Sequence, residues 1–171
     1  MKFVKIISIA LLGAVLAFSS CKKTPVQEEE NINVIKLQVG SATYTWSDTD
    51  GTGGAAPKID TIRIAPNATN DYTLSFSDGS VTPAKDLTTE IVSEKNDHLV
   101  IFKPTSATLT FSGLSKDGNG KDFGQTGKVA SGAASTGSLQ VLLIHLPDKS
   151  AADPSKTGTQ DVSIIFPVVV K

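Results

Sequence analysis

Ser138-Leu139-Gln140-Val141-Leu142-Leu143-Ile144-His145-Leu146 can be read in two registers, and both are apolar. Leu139, Val141, Leu143 and His145 fall on one face of an extended chain. Gln140, Leu142, Ile144 and Leu146 fall on the other. Successive side chains of a strand point to opposite faces, so a run that is apolar on both is expected to be a central strand covered on both sides. Asp161–Val170 repeats the pattern, with Val162, Ile164 and Phe166 on one face. Pro167 has no N–H to donate, which places that part of the strand at an edge or a bulge.

Working outward, the same alternation recurs between clusters of Gly, Pro, Asp and Asn. Strands are expected at 34–39, 42–47, 58–65, 71–77, 87–92, 98–103 and 107–112, with a weaker one inside the glycine-containing stretch 121–130. Asp86–Glu94 is the nearest approach to a helix, but Thr88-Thr89 and Ile91-Val92 favour a strand. Trp46, beside Tyr44 and Thr45, is expected to plug the core. The expected class is all-β, an antiparallel immunoglobulin-like β-sandwich of about eight to ten strands. The chain has a single cysteine, so the cysteine pair of true immunoglobulin domains is absent and the likeness is architectural.

The N-terminus carries a different signal. Lys2 and Lys5 precede an apolar segment from Ile6 to Ala17, too short to span a bilayer as a helix. Small residues Ser19 and Ser20 then lead to Cys21. That order reads as a bacterial lipoprotein signal, with Cys21 acylated as the first mature residue. The expected organisation is a signal peptide at 1–20, a lipidated Cys21 with a flexible tether to 31, and one domain at 32–171. An exposed lone thiol in an oxidising compartment argues the same way. Removing Lys2 and Lys5 from 16 basic residues leaves 14 against 17 acidic ones, a net charge of −3. Such a chain has no basic patch for nucleic acid. Glu28–Glu30 reads as a solvated run.

Two places carry candidate chemistry. His98 and His145 are the two histidines of the chain. One opens an expected strand and the other closes one. If 121–130 supplies a strand, both lie at the same end of the sandwich. With Asp97, Asp148 or Glu94 they form a candidate site for Zn²⁺ or Cu²⁺, which imidazole and carboxylate both suit. Asp48 and Asp50 in the glycine-rich loop resemble a calcium loop, lacking its third acid and late glutamate. Asp117-Gly118-Asn119-Gly120 has the residues that a plain turn needs. Asp60-Thr61-Ile62 resembles a short bacterial O-glycosylation motif at Thr61. No serine–histidine–acid spacing, nucleophile elbow or catalytic cysteine is present, so an enzyme is not the expected class.

Several segments in order carry a family resemblance. They are Asp48-Thr49-Asp50-Gly51-Thr52-Gly53-Gly54-Ala55-Ala56-Pro57, Asp86-Leu87-Thr88-Thr89-Glu90-Ile91, Asp97-His98, Gly132-Ala133-Ala134-Ser135-Thr136-Gly137-Ser138-Leu139, His145-Leu146-Pro147, Asp161-Val162 and Phe166-Pro167-Val168. Together they resemble small Bacteroidota outer-membrane lipoproteins often labelled as having a type 1 periplasmic binding fold. The resemblance covers nearly all of the mature chain. It departs at Leu99 and Leu146, where the family has polar and acidic residues after its histidines. The family has no settled activity. The resemblance implies a lipid-anchored cell-envelope protein of the outer membrane with an outer-membrane receptor as a partner, and the missing catalytic motifs make a non-catalytic binding module the expected role. The alternatives are a metal-binding lipoprotein using the histidines and a small hydrolase.

Overall fold

A computed structural model describes residues 30–51 and 53–171. The signal segment, Cys21 and the tether as far as residue 29 lie outside the described residues.

The strands form two sheets. β1 (Val34–Val39), β2 (Ala42–Ser47), β3 (Lys58–Ile59), β5 (Thr69–Asp78), β8 (Leu109–Ser112) and β9 (Thr126–Ser131) line up in the order β3-β2-β1-β5-β9-β8, and β6 (Lys85–Asp86) pairs with β5 as well. The second sheet has the order β4-β11-β10-β7, from β4 (Ile62–Ile64), β11 (Thr159–Val170), β10 (Ser135–His145) and β7 (His98–Thr105). All pairings between these strands are antiparallel except β4 with β11, which is parallel. The fold is an all-β sandwich.

Alternation fills its core. On β1 and β5, Ile35 faces Phe76, Leu37 faces Leu74 and Val39 faces Tyr72 across the ladder, and all six are buried. On the second sheet Leu139 faces Phe166, Val141 faces Ile164 and Leu143 faces Val162, again all buried. Trp46, expected to plug the core, instead packs against it half-buried.

β10 is central, between β11 and β7, as its two apolar faces require. Its outer-face residues Leu142 and Ile144 are buried too. The chain after β10 returns over that face. There Ser155, in a short 3-10 helix at Pro154–Lys156, accepts a 2.7 Å hydrogen bond from Lys103 Nζ. Pro167 belongs to a stretch of β11 that pairs with β10 alone, because β4 reaches only Val168–Val170.

Two expectations are corrected. Residues 87–92 are not a strand: Thr88–Ser93 is a helix, α1. Asp86 Oδ1 accepts from the Thr88 N–H at 2.8 Å, and Leu87 and Ile91, four residues apart, are both buried on one side. The Thr88 hydroxyl bonds to the Phe76 backbone, so α1 is docked by the β-formers that suggested a strand. The single strand expected at 58–65 is two. Asp60 binds the Thr45 backbone in both directions, and the chain then crosses from one sheet to the other.

The residues just ahead of β1 contact the sandwich. Asn31 Nδ2 donates to Asp78 Oδ1 at 3.3 Å and to Ser80 Oγ at 3.2 Å, and both carboxylate oxygens of Glu30 are buried. Glu30 is therefore part of the folded domain and not a solvated residue of an acidic run.

Candidate metal centre

His98 and His145 are directly opposed, as the last pair of the β7–β10 ladder. They lie just beyond the Val100–Leu143 pair on the core side. The strand expected within 121–130 is present as β9, and the two histidines do meet at one end of the sandwich. Their rings stack, with centroids 4.7 Å apart and planes 18° from parallel. His98 is 1 % exposed.

The carboxylate that joins them is Asp161, and a bulge aims it. Along β10 and β11 the register runs Leu143 to Val162 and then Ile144 to Gln160, so Asp161 is an extra residue on its strand. Strict alternation would turn Asp161 away from Val162. A bulge re-aims the inserted side chain, and here it brings the carboxylate to the histidine end. Ligand atoms of His98, His145 and Asp161 all lie within 4.8 Å of one another, a group that can hold a metal ion. Asp97 and Asp148 do not belong to it. Both are exposed, and their backbones serve turns: the Asp97 carbonyl accepts from Leu146 N–H, and Asp148 N–H donates to Thr157 Oγ1.

The hydrogen bonding of His98 fixes its tautomer. Nδ1 lies 3.2 Å from the Glu94 carbonyl, which can only accept, so Nδ1 carries the proton. In the neutral ring Nε2 is then a bare lone pair. It faces Asp161 Oδ2 at 3.5 Å, and that oxygen is buried without a hydrogen-bond partner among the described residues. His145 Nδ1 lies 4.0 Å from Asp161 Oδ1. Two lone pairs facing each other in a buried place repel, so the arrangement calls for a positive centre between them. A proton on His98 serves in part. Burial opposes that charge, but the Asp161 carboxylate, the Glu94 carbonyl and Glu30 outweigh it and raise the His98 pKa above the ordinary histidine value.

Glu30 lies within electrostatic reach of the same place. Burial foremost raises its pKa; His98 opposes that, and Glu90, Glu94 and Asp161 reinforce it. Neither carboxylate oxygen of Glu30 has a hydrogen-bond partner among the described residues.

The other candidates are turns. Asp50 Oδ2 accepts from the Ala55 N–H at 2.7 Å, and no third acid or histidine joins Asp48 and Asp50 among the described residues. Asp117 likewise closes its own loop, accepting from Asn119 and Lys121 N–H groups at 2.8 and 2.9 Å. Thr61 is half-buried between β3 and β4. Sequence reasoning missed Asp161 as a ligand because a bulge leaves no mark in the residue pattern.

No protein-family model matches the chain, and no curated protein or solved structure shows significant similarity to it. Among the described residues no helix is long and apolar enough to cross a membrane.

Proposed function

We propose that this protein is a metal-binding lipoprotein of the cell envelope, anchored through Cys21, that holds Zn²⁺ or Cu²⁺ between His98, His145 and Asp161. The observation that carries the reading is the convergence of His98, His145 and Asp161 at one end of the sandwich, with ligand atoms within 4.8 Å of one another. Ligand atoms around tetrahedral zinc lie about 3.3 Å apart, given bonds of about 2.0–2.1 Å. The ligand atoms of the three residues lie within 4.8 Å of one another, and the cluster has to contract to reach that spacing. The Glu94 carbonyl supplies the outer hydrogen bond that metal-ligating histidines almost always have. Imidazole and carboxylate donors suit zinc or copper better than calcium.

The test is metal analysis of residues 22–171, which include every described residue, after dialysis against Zn²⁺ or Cu²⁺. One equivalent is expected in the wild type and none in the His98→Ala/His145→Ala double variant. A metal-free wild type, or equal loading of the variant, overturns the reading.

A further inference from the structure

We propose that a groove on the open side of the sandwich binds an amphipathic monocarboxylate of the fatty-acid class, with its chain on an apolar floor at Phe102 and Phe111 and its carboxylate at Lys121. The groove shares no residue with the metal ligands, so the two sites stand or fall separately.

β7 and β8 are the outermost strands of their sheets, and Phe102 on one stacks against Phe111 on the other. Between these strands and the loops that carry Lys116–Asp122 and Lys149–Pro154 lies a groove of about 620 Å³. That volume falls within the range of small-ligand sites, roughly 300–1,000 Å³. The two phenylalanine rings have centroids 4.0 Å apart and planes 3° from parallel. The Tyr72 ring meets both edge-on, at 5.0 and 5.4 Å, and its hydroxyl donates to the Gly124 carbonyl at 2.9 Å. The ring pair is therefore fixed from behind. Yet Phe102, Phe111 and Leu114 are only partly buried, and Ile101 and Pro154 add more apolar lining. Apolar surface left open in a preformed concavity marks a place for a ligand.

The walls are held as well. Lys149 of one loop reaches Asp117 of the other at 2.9 Å in a buried pair, and Lys121 Nζ donates back to Ser150 Oγ at 3.1 Å. Charge then selects the head group. Lys116, Lys121 and Lys149 line the groove together with Asp122 and Asp153. Asp117 neutralises Lys149, and Asp122 neutralises Lys116 at 2.6 Å. Asp153 is taken by the Ser155 N–H and hydroxyl and by Lys156 at 3.4 Å. Lys121 is left with no carboxylate among the described residues. One uncompensated ammonium beside an apolar floor suits a ligand with a single negative charge and a hydrocarbon tail. A dianionic phosphate would leave one charge unmatched.

The experiment uses residues 22–171 with decanoate as the probe, below its micelle concentration, and decanol as the uncharged control. Calorimetry reads the affinity, and amide chemical shifts read the location. One equivalent of decanoate is expected to bind the wild type more tightly than decanol does, with shifts confined to 99–104, 109–122 and 149–154. Lys121→Glu is expected to weaken decanoate about fivefold or more, the loss of one exposed ion pair, and to leave decanol unchanged. Ala152 is exposed and lines the groove, so Ala152→Trp fills it without touching the core and is expected to lose both ligands. A wild type that binds no decanoate overturns the proposal, as does an Ala152→Trp variant that binds it normally. Unchanged decanoate affinity in Lys121→Glu overturns it too. If sedimentation shows the wild type self-associating and Ala152→Trp monomeric, the occupant is a second copy and the proposal falls.

Discussion

Lys149 and Asp117 form the best-buried ion pair among the described residues. Lys149 Nζ lies 2.9 Å from Asp117 Oδ2, and the two side chains are 8 % and 1 % exposed. The same ammonium also donates to the Lys95 carbonyl. The Lys149 hydrogen bond foremost, with the Lys121 and Asn119 N–H groups, holds the Asp117 carboxyl below its ordinary value, against the opposing effect of burial. A lowered carboxylate pKa contributes stability that is whole above the unfolded value and is lost as pH falls through the folded one. Lys149→Met should therefore melt several degrees below the wild type at neutral pH. The gap should narrow as pH drops below 3.8, the ordinary carboxylate value. Thermal melts of both proteins across that range check it. At this scale the sequence was partly legible. The turn chemistry of Asp117 could be read from its glycine and asparagine neighbours, whereas its partner 32 residues away could not.

Among the elements, β11 does most to make the site, and its entry is as constrained as its bulge. Gly158 precedes it with φ near +70°, and a β-carbon there would run into the His145 carbonyl. Both the backbone angle and the space exclude a side chain. Gly158→Ala is expected to destabilise the domain by about 1–3 kcal/mol and to weaken metal binding by moving His145. Chemical denaturation and zinc titration of the same variant separate the two effects. The strands of this fold were readable because a period of two repeats several times in each, as in β10 and β11. α1 was not, because six residues hold little more than one helical turn and show only the Leu87–Ile91 spacing. The β3–β4 break was hidden for a related reason: Lys58–Ala65 alternates well enough for one strand, and only pairing with two different sheets divides it. The histidine pair was legible from strand order, and Asp161 was not, since a single inserted residue changes which face a side chain takes without changing composition.

For the whole molecule, the proposed centre lies at one end of the smaller sheet, where β7, β10 and β11 bring His98, His145 and Asp161 together. A ligand that binds only the folded state stabilises it by RT ln(1 + [L]/Kd), about 2.7 kcal/mol at a hundredfold excess over Kd. For a domain of this size that is a rise in Tm of roughly 8 °C. Zn²⁺ at that excess should produce the rise in the wild type and leave the His98→Ala/His145→Ala variant unmoved, as differential scanning calorimetry would record.

The displaced register at Asp161 has a second consequence, in a different domain of behaviour. From Thr159 to Pro167, β11 borders no strand but β10 among the described residues, so one flank of the smaller sheet is bare of them. Bare flanks of regular strands recruit neighbours and nucleate fibres. Here the bulge twists that flank near one end and Pro167 withholds a donor near the other, so little of it is left straight enough to template a second copy. The irregularity that aims a carboxylate inward also keeps the protein from zipping onto its own kind, a protection that matters most where copies crowd side by side.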